Sequence, residues 1–330
     1  MLRSETAGEP EKMAAALHGL RAYQAAPREP RPAPMPEIAR IGRASLLDYG
    51  GEGRPVVFVP SLINPPHVLD LLPDVSMLRW LSTQRLRPLL VDWGEPDRTE
   101  AGLTIAGHVE TLLLPLMETV GPDAAIAGYC LGGTMALAAA TLRPPAALAL
   151  IATPWRFSGF PDEARRGMVE IWEQARPTAD AMGLLPVEVL QAAFWRLDPR
   201  RTVEKFIAFG QSERGAQATR RFVALEDWAN DGAPLTPAAG RELAEAMFGR
   251  DDPGEGRWTV GGRVVDPAAL ACPLLDIVST TDRIVPAASA TGAGERVTLA
   301  QGHVGMVVGG RARASLWQTL AEWLTRPHMA

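Results

Sequence analysis

The chain has 330 residues, of which 47% are hydrophobic and 22% charged, a balance typical of a globular protein with enough apolar surface to bury a core. Its formal net charge of −5 argues against a broad nucleic-acid-binding surface. Two widely separated cysteines argue against a disulfide framework, and no stretch resembles a signal peptide or a membrane span, so we expect a cytoplasmic protein.

The predicted elements begin with a polar, proline-rich extension, residues 1–40, that holds a short helix at 11–24. After it, short apolar runs alternate with helical segments up to residue 154. Strands are predicted at 56–60, 86–93, 124–129 and 147–152, and helices at 104–120 and 132–142. Such alternation is typical of a parallel sheet that is covered by helices on both faces.

The alternation stops at residue 155, and residues 155–258 are predicted as helical segments broken by proline and glycine. Further strands are predicted at 273–278 and 296–300, and a closing helix at 314–324. We therefore divide the chain into a core and a helical cap inserted into it. The core comprises residues 41–154 and 259–330, and the cap comprises residues 155–258.

The predicted cap is rich in aromatic residues, with five of the nine tryptophans and seven of the eight phenylalanines. One interpretation is that a small helical unit needs large side chains to build its own core. The other is that some of the rings line an apolar, water-poor cavity over an active site. The residues are Trp155, Trp172, Trp195, Trp228 and Trp258, with Phe157, Phe160, Phe194, Phe206, Phe209, Phe222 and Phe248.

The sequence Gly128-Tyr129-Cys130-Leu131-Gly132-Gly133 lies between a predicted strand and a predicted helix. It matches the G-x-nucleophile-x-G elbow, with cysteine where serine is usual. Small residues on either side let the chain turn sharply, so the nucleophile projects above the sheet. The helix N-terminus favours a thiolate and offers N–H groups to an oxyanion. We therefore predict Cys130 as a nucleophile and Cys272 as a structural core residue.

A thiol nucleophile needs a base. The chain offers His18, His67, His108, His303 and His328. His303 lies in the loop after the last predicted strand, where an α/β-hydrolase fold carries its catalytic histidine, whereas His18 and His328 lie near the termini. The acid is expected after the preceding strand, where residues 279–286 supply Asp282. The order Cys130, Asp282, His303 matches the nucleophile–acid–base order of that fold, which predicts a Cys-His-Asp triad.

An oxyanion hole would combine two backbone N–H groups. One belongs to Leu131, directly after the nucleophile, and the other to the loop that follows strand 56–60. That loop reads Ser-Leu-Ile-Asn-Pro-Pro-His from residue 61 to 67, and its two prolines have no N–H to donate. Leu62 or Ile63 is therefore the candidate for the second donor.

With these residues in hand, the chain resembles the catalytic subunit of the polyhydroxyalkanoate synthases, in the short form that works with a second, helical subunit. The resemblance implies an α/β-hydrolase fold: a mostly parallel, doubly wound sheet with a helical cap inserted after the sixth strand. It covers roughly residues 55–325. The stretches that carry it are 60–64, 68–73, 91–97, 128–133, 222–228, 230–231, 279–286 and 302–305.

The resemblance implies that the chain polymerises 3-hydroxyacyl-CoA with release of CoA, and that it needs neither a cofactor nor a metal. Cys130 would be the acylated nucleophile, His303 the base and Asp282 its partner. The substrate-binding candidates are Asn64, His67, Trp155 and Trp228. The partners implied are the acyl-CoA, the growing polyester, a helical second subunit and a second copy of the chain, with a location on cytoplasmic polyester granules.

Two departures from the family's pattern bear on substrate handling. Arg283 stands directly after Asp282, where the family usually has histidine, and Pro65-Pro66-His67 replaces the usual basic and aromatic residues. The same elements also fit a hydrolase of this fold, a thioesterase or an intracellular polyester depolymerase, in which water is the acceptor. A third hypothesis is a granule-associated binding protein with a vestigial site, against which the intact triad argues.

Overall fold

The computed structural model describes residues 5–30, 32–197, 199–211 and 215–327, and twelve strands lie in this part of the chain. Eight of them form one central sheet. The strands are β1 Glu37–Ile41, β2 Ala44–Asp48, β3 Arg54–Val59, β4 Asp70–Leu72, β5 Val75–Ser76, β6 Leu86–Asp92, β7 Ala125–Tyr129, β8 Leu148–Ile151, β9 Thr259–Val260, β10 Arg263–Val264, β11 Leu274–Ser279 and β12 Glu295–Leu299.

The central sheet has the spatial order β1-β2-β6-β3-β7-β8-β11-β12. From β6 to β12 every neighbouring pair is parallel, whereas β1 and β2 are antiparallel additions at one edge. Strands β7, β8 and β11 are buried along their whole length, as expected for parallel strands covered on both faces. The predicted fold class is therefore confirmed, and the cap follows β8, the sixth strand of this sheet.

Strands β1 and β2 are absent from the sequence prediction. β1 lies at the edge of the sheet and three of its five residues are exposed, so it lacks the apolar run or alternation that marks a buried strand. Because β1 starts at Glu37, the sheet begins inside the predicted extension 1–40 and not after it. The boundary at residue 41 was therefore placed too late.

The helices cover both faces of the sheet and build the cap. Three π-helical segments continue or precede α-helices, at Val109–Leu113, Glu242–Gly249 and Arg313–Trp317. The α-helices are α1 Pro10–Ala25, α2 Met77–Leu81, α3 Ile105–His108, α4 Leu114–Val120, α5 Leu131–Leu142, α6 Asp162–Met182, α7 Val187–Leu197, α8 Pro199–Gln211, α9 Ala216–Ala229, α10 Pro237–Arg241, α11 Gly305–Val308 and α12 Gln318–Thr325.

The cap builds most of its own core from aromatic rings. Phe157, Phe160 and Phe248 form one cluster, and Phe206, Phe209 and Phe222 form another. Trp172 is buried and donates a hydrogen bond to Glu245 at 2.9 Å. The structural interpretation of the aromatic bias is therefore correct for these rings. The side chains of Phe194 and Trp195 lie outside the described part of the chain.

The N-terminal helix packs on this cap. Helix α1 crosses α8 at very short range. A Cβ added at Gly19 would lie 1.8 Å from a carbonyl oxygen of α8, and a Cβ added at Gly210 would lie 2.7 Å from the Gly19 Cα. Beyond the crossing, the Tyr23 hydroxyl donates a hydrogen bond to Asp227 of α9, and Arg28 pairs with the same carboxylate at 3.2 Å. The proline-rich extension is thus joined to the cap by packing and by charge.

Substituting Gly19 with alanine should undock α1 from α8, because the added Cβ would clash with a backbone oxygen that cannot rotate away. We expect a loss of about 1–3 kcal/mol of local stability, measured as faster amide hydrogen exchange across residues 10–25. Gly167→Ala is the matched control, since an added Cβ there meets nothing within 4 Å. Unchanged protection of α1 in Gly19→Ala would contradict the packing argument.

Candidate active site

The turn between β7 and α5 places Cys130 in a strained backbone conformation, with φ 55° and ψ −133°. Non-glycine residues adopt such angles rarely, at a cost on the order of 1–3 kcal/mol. Three glycines make the turn sterically feasible. A Cβ at Gly128 would come within 2.4 Å of α5, one at Gly132 within 2.1 Å of a β3 carbonyl oxygen, and one at Gly133 within 1.8 Å of the Thr153 hydroxyl. The elbow therefore needs glycine at all three positions.

The structure brings the three predicted catalytic residues together. Asp282 follows β11 and His303 follows β12, and His303 Nδ1 lies 2.7 Å from Asp282 Oδ2. The other carboxylate oxygen of Asp282 accepts the backbone N–H groups of Ile284 and Val285, which fixes its orientation. The Asp282 side chain is fully buried and that of His303 retains 7% of its surface. Cys130 and His303 line the same cavity.

The surroundings of His303 favour its charged form. Burial alone lowers the pKa of His303, but the charge of Cys130 and the hydrogen bond that the imidazole donates to Asp282 outweigh burial and raise the pKa to about 10. Tyr129 stacks on the imidazole with ring centroids 5.1 Å apart, and its hydroxyl donates to the His303 carbonyl oxygen at 3.3 Å. Burial, with the nearby charges of Cys130 and Asp282, raises the pKa of Tyr129 well above its usual value, so Tyr129 stays neutral.

The two predicted oxyanion donors from the β3 loop differ in availability. The Ile63 N–H donates to Ser61 Oγ at 3.1 Å, so it is already occupied. Leu62 is therefore the better candidate of the pair. Leu131 is the first residue of α5, and the N–H groups of a first helical turn have no acceptor within their own helix. Leu131 and Leu62 together are the candidate donors.

The cap covers Cys130 and leaves a cavity of about 210 Å³ above it. Cys130 is half-buried and opens into this space. Among the described aromatic rings of the cap, Trp228 alone lines the cavity, and its Nε1 donates to the Pro65 carbonyl oxygen at 2.9 Å. The lining residues are Pro60, Ser61, Asn64, Pro65, Val68, Tyr129, Cys130, Gln191, Thr202, Lys205, Trp228, Ala229, Ile284, His303 and Val304.

Two predicted substrate-binding residues, Asn64 and Trp228, line this cavity, and two do not. Trp155 is buried against Trp258, with ring centroids 6.1 Å apart, and belongs to the core where the cap begins. His67 lines a neighbouring cavity of about 460 Å³, which shares Ser61, Asn64 and Pro65 with the first. The prediction for Trp155 and His67 rested on their place in the chain, and the loop turns His67 to the far side.

Arg283 and His108 do not line the cavity above Cys130. Arg283 is exposed and is not among the residues that line the cavity. His108 is buried against the Thr104 carbonyl oxygen at 2.7 Å and against Arg43, and burial lowers its pKa to about 4. His108 is thus a structural residue, and His328 lies outside the described residues.

Sequence reasoning missed four residues of the site. Tyr129 belongs to the elbow motif, but no pattern in the sequence predicted that it would stack on His303. Gln191, Thr202 and Lys205 come from α7 and α8 of the cap and line the cavity opposite the elbow. Contacts between a cap and a core depend on tertiary packing, which hydrophobic periodicity does not specify.

In the ranges that the structure describes, no group of three or more His, Cys, Asp or Glu side chains is placed to hold a metal ion. None of the described helices is both long enough and apolar enough to cross a membrane.

Comparison with known proteins supports the resemblance. No protein-family profile matches the chain. The chain is 28% identical to the poly(3-hydroxyalkanoate) polymerase subunit PhaC of Haloferax mediterranei over 88% of its own length, but it spans only 63% of that relative. It is 27% identical to the subunit of the same name from Allochromatium vinosum, over 82% of this chain and 80% of the relative.

Among solved structures, the enol-lactonase from Burkholderia xenovorans superposes with a TM-score of 0.53 at 18% identity, over 88% of this chain and all of that one. At this identity the match bears on the fold alone. The fold and the sequence matches agree with each other, since an α/β-hydrolase core with a cap after its sixth strand carries the matched motifs. The resemblance of this chain to the catalytic subunits of the polyhydroxyalkanoate synthases is therefore confirmed.

Proposed function

We propose that this chain is an acyltransferase that polymerises 3-hydroxyacyl-CoA into polyhydroxyalkanoate and releases CoA. The observation that carries the proposal is a cysteine at the elbow that shares a cavity with His303, which is paired with Asp282, in a chain similar to polymerase subunits over more than four-fifths of its length. The elbow and the pair fit acyl transfer through a covalent intermediate. The similarity supports hydroxyacyl-CoA as the substrate.

In the first half-reaction, the Cys130 thiolate attacks the thioester carbonyl. The resulting oxyanion accepts hydrogen bonds from the backbone N–H groups of Leu131 and Leu62. Collapse expels the CoA thiolate, which takes a proton from the His303 imidazolium. In the second half-reaction, neutral His303 removes a proton from the incoming hydroxyl, which attacks the acyl-Cys130 carbonyl. The oxyester forms, the thiolate of Cys130 is released, and His303 is again protonated.

A second candidate function is hydrolysis, as a thioesterase or a polyester depolymerase. It is favoured by the polar groups on the cavity wall, since Ser61, Asn64 and Thr202 give water several partners near a half-buried Cys130. The synthase proposal is favoured by the cap, which restricts this space to about 210 Å³ and so limits the number of waters that compete with a hydroxyl.

The partners and location follow from the same proposal. The relatives are named as subunits, which supports a second, helical subunit as a partner, and a homodimer of this chain is the further assembly we propose. We also propose a location on polyester granules in the cytoplasm, and no cofactor beyond the CoA thioester itself. Co-purification with a second subunit, and the mass of the assembly in solution, would test the first two points.

Incubation with 3-hydroxybutyryl-CoA separates the candidate functions. A synthase should release free CoA while the solution turns turbid with insoluble polyester, and little free 3-hydroxybutyrate should appear. A thioesterase would release CoA and 3-hydroxybutyrate in equal amounts without turbidity. Release of no CoA at all would refute the synthase and the thioesterase hypotheses, and hydrolysis of added polyester would then separate a depolymerase from a binding protein.

Replacing Cys130 with alanine should lower CoA release by about a thousandfold or more, because the covalent step is lost. Cys130→Ser should retain little activity, since a serine alkoxide is harder to generate than a thiolate. Cys272→Ala is the matched control and should be close to neutral, because burial raises the pKa of Cys272 to about 11 and keeps that thiol protonated. Turnover near that of the wild type in Cys130→Ala would end the covalent mechanism.

The charge coupling in the site can be measured directly. Because Cys130 and Asp282 raise the pKa of His303, both Cys130→Ala and Asp282→Asn should lower it. Titration of the imidazole nitrogens by long-range proton–nitrogen NMR would report the shift, with His303→Gln to assign the signal. A His303 pKa that stays the same in both variants would contradict the arrangement described above.

A further inference from the structure

Lysine is almost absent from this chain. Of its 33 basic residues only Lys12 and Lys205 are lysines, and all the others are arginines. Lys12 pairs with Glu9 near the N-terminus, whereas Lys205 lines the cavity above Cys130. Arginine presents a wide planar fork, while lysine presents a compact point charge on a flexible stem. The use of lysine inside a small cavity, in a chain that otherwise uses arginine, points to a need for a compact ammonium group.

The Lys205 ammonium is held in place by a buried carboxylate. Its Nζ lies 2.6 Å from Glu226 Oε2, and the Glu226 side chain retains only 7% of its surface. A buried carboxylate requires such a partner. Nζ also lies 5.2 Å from the centroid of the Phe206 ring. An ammonium has three donors, and the bond to Glu226 engages one of them, which leaves capacity for a ligand in the cavity.

The cavity wall carries cationic side chains but no carboxylate among its described residues. Among the described residues that line it there is no Asp or Glu, while Lys205 and His303 are its two cationic side chains. His303 and Cys130 lie at the elbow end, and Lys205 comes from α8 of the cap that covers them. An acyl group bound to Cys130 would therefore occupy a cavity of about 210 Å³ that Lys205 also lines.

We propose that Lys205 binds the oxygen substituent at C3 of the acyl group on Cys130, and so selects 3-hydroxyacyl groups over unsubstituted ones. This inference rests on the proposed function and adds the residue that determines the substrate class. A hydroxyl oxygen accepts a hydrogen bond from the ammonium. An unsubstituted chain would instead place methylene groups next to the ammonium and offer it no acceptor. After chain extension the same oxygen is part of an ester and still accepts, so one contact serves both monomer and polymer.

The test compares acylation of Cys130 by 3-hydroxybutyryl-CoA and by butyryl-CoA, followed as CoA release in a single turnover and as the mass of the acyl-enzyme. The wild type should prefer the hydroxyacyl substrate. Lys205→Met should slow acylation by 3-hydroxybutyryl-CoA about 10- to 100-fold, the range for a hydrogen bond to a charged group. The same substitution should slow acylation by butyryl-CoA much less, so the preference for the hydroxyacyl substrate should be lost. Lys12→Met is the matched control and should leave both rates unchanged.

Removing the ammonium leaves Glu226 buried without its partner, so Lys205→Met could unfold the cap for a reason unrelated to recognition. The double variant Lys205→Met/Glu226→Gln removes the orphaned charge and should show the same loss of preference. Thermal unfolding of both variants identifies any loss of structure.

The outcomes are distinguishable. An equal slowing of both substrates, in a variant that is folded, would place Lys205 on the CoA portion they share and overturn the inference. An unchanged preference would overturn it as well, and both results leave the proposed function standing. A wild type that releases CoA from neither thioester would refute the proposed function, and this inference with it.

Discussion

The positive φ at Cys130 is the constraint on which the rest of the site depends. It raises the thiol above the carboxyl edge of the sheet, and it is sterically feasible only because Gly128 and Gly132 let β7, α5 and β3 approach each other. Since β7, β8, β11 and β12 are parallel neighbours, their carboxyl ends meet at this same edge. The loops after β11 and β12 therefore deliver Asp282 and His303 to the thiol, although more than 150 residues separate them from it in the chain.

The cap is fixed around this site from several directions. Trp228 of α9 holds the loop that carries the oxyanion candidates, and the adjacent Asp227 receives Tyr23 from the N-terminal helix. Asp74 of the core pairs with Arg220 and Arg221 of the same cap helix. The proposed acyl-CoA substrate is much larger than a cavity of about 210 Å³, so under the proposed function these contacts must loosen for it to enter. The contacts that close the site are thus also the ones that control access to it.

Sequence reasoning located the parts of the fold that local physics specifies. The buried parallel strands are continuous apolar runs, and the elbow is a local steric requirement, so β3, β7 and Cys130 could be predicted from the chain alone. The edge strand β1 could not, because an exposed strand carries no apolar pattern. The position of Trp155 could not be predicted from the chain either, for another reason. Its ring packs on Trp258 at the far end of the insertion, a contact that depends on how the cap closes on the core.

The identity of the nucleophile bears on which acceptor the site is built for. Loading a thiol from an acyl-CoA exchanges one thioester for another and is nearly isoenergetic, and transfer to a hydroxyl then forms a more stable oxyester. A serine would already hold an oxyester, so its transfer to an alcohol would gain nothing. Hydrolysis runs downhill from either intermediate and gives no reason to prefer sulfur. Under the proposed function, a cysteine nucleophile therefore places the favourable step at chain extension, and the cap has to keep water from taking that step first.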